Sequence, residues 1–373
     1  MAAPAPAPSR GALREIALLF LRLGATAFGG PAAHIALLED EVVRRRGWVT
    51  RERFLDLLGA TNLIPGPNST EMAIHLGYLR GGPLGLMVAG VCFIVPASLL
   101  SAALAWAYVR FGGVPGVEGV LYGIKPAIIV IVVQAVVSLS RAALRTRWLV
   151  AIAVGSAAAV LLGVNELLVL GVAGAATCAP RLGRGGRAFL LAVPAAAAAP
   201  AAVGLWPLFL AFAKIGSVLF GSGYVLLAFL RADLVAQRHW LTEAQLLDAV
   251  AVGQLTPGPV SSTATFIGYL LRGPAGAAVA TLGMFAPAFV FVALSGPLVP
   301  RIRRSPAAGA FLDGVNAASL ALMAVVAAQL GRAAIVDWVT VAIAAASALA
   351  VLRLRVSSVW LVLGGGVVGA LLR

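Results

Sequence analysis

The sequence predicts an all-α polytopic membrane protein of two inverted-topology repeats, with broken or re-entrant helices at Pro-Gly-Pro. Three observations carry this: apolar composition, a tandem duplication, and the charge of the connecting loops. Of 373 residues, 61% are hydrophobic and 11% charged, and the mean hydropathy is +0.99. A soluble domain of this length needs more charge to wet its surface. Apolar stretches of about 18 to 25 residues recur, each long enough to cross a hydrocarbon core of about 30 Å. They are continuous rather than alternating, which argues against a membrane barrel.

The net charge of +14 sits in short arginine clusters between apolar spans, the pattern of cytoplasmic loops beside a lipid bilayer, and not of a nucleic-acid partner. Cys92 and Cys178 lie far apart in apolar surroundings and form no metal motif, so neither a cofactor nor a metal is expected. Ala and Pro alternate at the start, and residues 1–12 are expected to be a disordered tail. The first apolar segment carries Arg22 and lacks a small-residue cleavage site, which argues against a cleaved signal peptide.

Shifting the chain by 192 positions superimposes residues 28–67 on 220–259 without a gap, and fourteen of the forty positions are identical. That agreement exceeds what shared Ala and Leu richness produces, because the identities include Trp48 with Trp240, Thr50 with Thr242 and Asp56 with Asp248. Pro65-Gly66-Pro67 falls on Pro257-Gly258-Pro259, and after one lost residue Gly77-Tyr78 meets Gly268-Tyr269. The expected organisation is therefore a first repeat at 13–182, a linker with an additional span at 183–205, and a second repeat at 206–373.

Loop charges alternate between the repeats. Residues 109–118 hold one Arg and one Glu, whereas the matching loop holds Arg301, Arg303 and Arg304. One span later Arg141, Arg145 and Arg147 face only Arg332 and Asp337, and the next loop swaps again, with Asn165 and Glu166 against Arg353 and Arg355. If positive loops stay inside, equivalent loops lie on opposite faces of the membrane, as in many secondary transporters. The apolar segment 187–203 supplies the odd span that inversion requires. The count is about thirteen, with about ten as a lower bound because 148–162 is short and 54–79 fits a re-entrant hairpin. The N-terminus is then cytoplasmic, in the cell inner membrane.

A helix cannot pass through Pro-Gly-Pro without losing backbone hydrogen bonds. In hydrocarbon such breaks persist where protein or a watery cavity satisfies the freed groups, and paired breaks at matching positions point to a transporter site. Asn68, Ser69 and Thr70 follow the first triplet, and Ser261, Ser262 and Thr263 the second; these are N-cap types at the start of a half-helix. Such a terminus suits an oxyanion. A merely kinked helix with back-bonded hydroxyls is the structural alternative. The second broken element, Phe28-Gly29-Gly30, matches Phe220-Gly221-Ser222 and fits either a site or close helix packing.

Charge inside apolar spans is scarce. Lys214 aligns with Arg22, and Lys125 with Asn316; these are candidates for neutralising a bound anion, with snorkelling as the alternative for Arg22. Glu71 and His75 lie one turn apart after the first break and are candidates for carrying a coupling proton, with helix capping the alternative for Glu71. Residues 39–53 read as a water-exposed amphipathic link. For Asp56 and Asp248 a cap or network role is expected.

The Phe28-Gly29-Gly30 break, the Trp48-Val49-Thr50 turn, Asp56, Pro65-Gly66-Pro67 and Gly77-Tyr78 occur in the order found in the chromate ion transporter family, and the second half repeats the pattern from Phe220 to Tyr269. The chain resembles that family's long, two-domain type. The resemblance implies export of chromate and chromate resistance, sulfate as a similar ligand or competitor, and energisation by protons or by anion exchange. A carrier for sulfate or another anion is the nearest alternative, and an anion channel or intramembrane enzyme is the alternative of another class. No zinc-protease, nucleophile-elbow or phosphate-loop motif is present, so the protein is not expected to be an enzyme or to use ATP. Oligomers are compatible with all of these readings.

Overall fold

The computed structural model describes every residue except 1–9, 29, 179–202, 221–222, 304, 355 and 373. The additional span expected at 187–203 lies almost wholly outside the described residues. Among those described there are helices and no strands.

The first repeat contains α1 (Arg10–Thr26), α2 (Gly30–Glu39), α3 (Arg51–Thr61), α4 (Asn68–Phe111), α5 (Pro115–Ala143), α6 (Arg147–Leu161) and α7 (Glu166–Cys178). The second contains α8 (Leu205–Val218), α9 (Leu226–Leu230), α10 (Glu243–Leu255), α11 (Thr263–Arg303), α12 (Pro306–Ala334), α13 (Trp338–Leu354) and α14 (Ser358–Leu372). Helix α1 starts at Arg10, within the stretch read as tail. Among the described residues four helical segments are long and apolar enough to cross a membrane, namely Asn68–Phe111, Gly116–Ala143, Val260–Ser295 and Pro306–Ala334, and five shorter apolar helices accompany them.

Both repeats tighten before the triplet in the same way. A π-helical turn, Asp40–Arg45 or Arg231–Gln237, precedes the tryptophan. Trp48 N–H then donates to Val42 C=O at 2.8 Å, and Trp240 N–H to Leu234 C=O at 2.8 Å. The following threonine starts the next helix: Thr50 Oγ1 accepts from Arg53 N–H, and Thr242 Oγ1 from Gln245 N–H, satisfying otherwise orphaned donors. The link at 39–53 is not uniformly exposed. Glu41 and Val42 are buried, because the Glu41 carboxylate collects Arg22, Arg45 and Arg46.

The apolar runs from 68 to 111 and from 263 to 303 each hide a turn. Gly81-Gly82 and Arg272-Gly273 leave helical geometry in nearly identical fashion, with φ of +57° at Gly82 and +62° at Gly273. The chain folds back there, so Gly77 packs on Gly85, and Gly268 on Gly276, with no room for a β-carbon. A half-helix at 68–80 thus precedes the long segment 83–111, and 263–271 precedes 274–303.

The chain forms two compact units. One comprises Met1–Arg110, Gly204–Gly223 and Val252–Pro297. Its core joins Phe20, Leu23, Phe54, Met72 and Phe93. Gly24 of α1 packs on the Phe93 carbonyl, and its repeat equivalent Gly216 of α8 packs on the Met284 carbonyl. The other unit comprises Phe111–Val203, Tyr224–Ala251 and Leu298–Arg373. There α14 lies on α5 and α7 on α12, so each repeat covers the long helix of the other. Gly123 meets Gly365 and Gly369, while Gly314 meets Ala173 and Thr177; small residues let the backbones approach.

Candidate functional site

Both Pro-Gly-Pro loops belong to the first unit. Gly66 N–H donates to the Leu219 carbonyl at 2.7 Å, and Gly258 N–H donates to the Ala27 carbonyl at 2.8 Å. These are equivalent bonds, since Gly66 pairs with Gly258 and Ala27 with Leu219 in the duplication. Each triplet is therefore tied to the first break of the opposite repeat. The glycines have φ of +147° and +86°, conformations that side chains resist. Space is also closed. A β-carbon on Gly66 would meet the Glu71 carboxylate, and one on Gly258 would lie 2.8 Å from the Gly24 carbonyl oxygen.

At each triplet the carbonyl of the second proline takes the first bonds of the half-helix. The Pro67 carbonyl accepts from Thr70 and Glu71 N–H at 2.8 and 3.0 Å, and the Pro259 carbonyl accepts from Ser262 N–H at 2.9 Å. Ser69, Thr70, Ser261, Ser262 and Thr263 consequently lie buried in the first turns. Asn68 donates its amide to Asn62 Oδ1 at 2.7 Å, joining the half-helix to the end of α3. Thr263 Oγ1 bonds back to Val260 C=O at 2.8 Å and fills the space beside Gly253. The N–H groups that open each half-helix have no preceding turn to accept from them.

Hydroxyls from the opposite repeat line each loop, and these were not singled out in the sequence. Ser101 of α4 lies 3.2 Å from Ser262 Oγ and 3.5 Å from Thr256 Oγ1 beside the second loop. Ser295 of α11 lies 3.5 Å from His75 Nε2 beside the first. His34 was also missed; its Nε2 lies 3.0 Å from the Ala27 carbonyl that receives Gly258. No second-repeat histidine matches it, because Leu226 stands at the equivalent position.

The remaining candidates distribute unequally. Phe28 and Gly30 flank the first break and Phe220 the second; Gly29, Gly221 and Ser222 are outside the described residues. Arg22 is half exposed and paired with the buried Glu41. Lys214 is half-buried on α8 in the same unit. Lys125 and Asn316 belong to the second unit, where Lys125 Nζ lies 3.2 Å from the Asp248 carboxylate. Lys125 therefore has a protein counter-charge. The network role expected for Asp248 has a concrete form in this pair.

Duplicated repeats, helices long and apolar enough to span a bilayer, and paired helix breaks held together by cross-repeat bonds define the class: a polytopic helical protein of membrane transport. The family described as Chromate transporter matches at residues 14–178 and again at 206–370. The chain belongs to the chromate transporter family. Its relatives include a chromate transport protein of Cupriavidus metallidurans, 34% identical over 96% of this chain and 92% of that protein. A probable chromate transport protein of Synechococcus elongatus is 32% identical over 88% of this chain and 87% of that protein. A chromate transport protein of Pseudomonas aeruginosa is 34% identical over 82% and 77%. No solved structure matches the chain.

Proposed function

We propose that this protein is a secondary transporter that exports chromate across the cytoplasmic membrane, lowering its accumulation and so conferring resistance. The observation that carries the reading is the reciprocal pair of bonds, Gly66 to Leu219 and Gly258 to Ala27, which gathers four helix breaks into one unit. In such an arrangement unwound backbone and half-helix N-termini face a common interior, the arrangement by which transporters hold anions near the midplane. The half-helix at 68–80 is about 20 Å long, short of a bilayer core. We assign it and its twin as re-entrant elements. The alternating loop charges support inverted repeats at 13–182 and 206–373, with the N-terminus cytoplasmic.

The oxyanion contacts Ser261, Ser262 and Thr263 and the backbone that opens the second half-helix, with Lys214 supplying positive charge. Chromate and sulfate share charge and tetrahedral shape, so sulfate competes. Transport is energised by protons or by anion exchange, and access alternates by rocking of one bundle against another. Purified protein in proteoliposomes, with pH gradient and anion composition varied independently, tests this. Chromate counterflow and gradient-driven accumulation are expected. Downhill flux without accumulation would indicate a channel, and preference for sulfate or a non-oxyanion would reassign the substrate.

A further inference from the structure

The two loops share a backbone but not a chemistry. Glu71 is fully buried, and neither of its carboxylate oxygens has a hydrogen-bond partner; the same holds for its neighbour Thr70 Oγ1. The carboxylate folds back against the α-carbon of Gly66. It thus occupies the opening turn of the half-helix 68–80, where an anion would otherwise sit. Around the second loop, among the described residues, no carboxylate takes that place, and Thr263 stands opposite Glu71 in the duplication. Its polar groups include the buried hydroxyls of Thr256 and Ser262, each within 3.5 Å of the buried Ser101 hydroxyl.

We propose, resting on the transport reading above, that Glu71 is the proton-carrying carboxyl of the transport cycle, reserving the first Pro-Gly-Pro loop for a proton while the second takes the oxyanion. A carboxylate and an oxyanion in one buried place repel, and an unpaired buried charge is costly. Dividing the two ligands between the loops avoids both problems. The carboxylate takes a proton from water on one side and returns it on the other; only an O–H bond forms and breaks.

The charged groups on neighbouring elements leave Glu71 this role. His75 lies one turn along the same half-helix, and Arg53 of α3 acts electrostatically on His75. Arg22 of α1 is held by Glu41, and Glu15 of α1 by Arg46 and Arg80. His34 of α2 is bonded to the Ala27 carbonyl. Lys214 is the one charged residue of α8. In the first unit's part of α11 the charged residue is Arg272, exposed at the hairpin turn, and in residues 83–110 of α4 it is Arg110, also exposed. Among the described residues of the first unit the buried carboxyl and imidazole groups are those of His34, Glu41, Glu71 and His75, all of the first repeat; Asp233 and Asp248 of the second repeat are buried in the other unit.

The test uses chromate in proteoliposomes containing the full chain, comparing pH-gradient-driven accumulation with counterflow at equal pH. In Glu71→Gln the ratio of the first to the second is expected to fall about tenfold or more. An unchanged ratio, loss of both activities in a folded variant, or wild-type accumulation that follows sodium instead of protons would overturn the proposal. If Glu71→Gln does not fold, Glu71→Asp decides: a shifted pH midpoint of accumulation is expected, and an unshifted one counts against it. Absence of wild-type chromate counterflow would instead remove the transport reading itself, and this inference with it.

Discussion

At residues 65–67 the turn is packed beneath a carboxyl and stapled to the preceding helix by Asn68 and Asn62, whereas at 257–259 the same turn is packed against backbone and ringed by hydroxyls. The two loops make equivalent bonds to equivalent carbonyls, yet the side chains around them have diverged. Duplication preserved what the backbone requires, namely a glycine at positive φ between prolines and an acceptor at the facing break. It left free what the loop offers to a ligand. Glu71 and His75 stand by the first loop and the hydroxyls of Ser101, Thr256 and Ser262 by the second, a division that symmetric sites would not need.

The largest expected effect separates the loops by what hems them in. Gly258→Ala places a β-carbon 2.8 Å from the Gly24 carbonyl oxygen and 2.9 Å from the Ala97 β-carbon, neighbours that cannot yield easily. It should cost about 3 kcal/mol or more in unfolding measured in micelles. Gly66→Ala meets the movable end of Glu71, so its cost should be smaller, about 1–2 kcal/mol of backbone strain. The reverse order would break the comparison.

Asn68→Ala removes the bond to Asn62 that the second loop lacks, since Val260 stands at the matching position. A loss of about 1 kcal/mol is expected, with thermal unfolding as the check. Thr70→Val should be the mildest, neutral or stabilising by about 1 kcal/mol, because a buried hydroxyl without a partner is replaced by a methyl of similar shape. Clear destabilisation by that variant would show that Thr70 has a structural partner.

Much of this comparison was legible in the linear chain. The gap-free shift of 192 aligned Gly66 with Gly258 and Ala27 with Leu219, the four positions that bond across the repeats. The hairpin turns at 81–82 and 272–273 were not singled out, although Arg80-Gly81-Gly82-Pro83 and Arg272-Gly273-Pro274 interrupt the apolar runs with turn residues. Their signal was present in the recurring pairs Gly77 with Gly85 and Gly268 with Gly276. Ser101, Ser295 and His34 were missed because a single polar residue in an apolar helix carries no pattern, and the serines' partners lie 155 to 220 residues away. Lys125 and Asp248 were each conspicuous, but only tertiary folding reveals them as a pair. The carbonyl of each triplet's second proline takes the first helical bonds, a backbone role that residue type alone does not announce.

The claim that the oxyanion belongs to the hydroxyl-lined loop is tested most directly by equilibrium chromate binding to purified Ser262→Ala and Ser69→Ala variants. Ser262→Ala should weaken binding about tenfold and Ser69→Ala by less than about twofold. Equal effects, or a larger one at Ser69, would contradict the division between the loops.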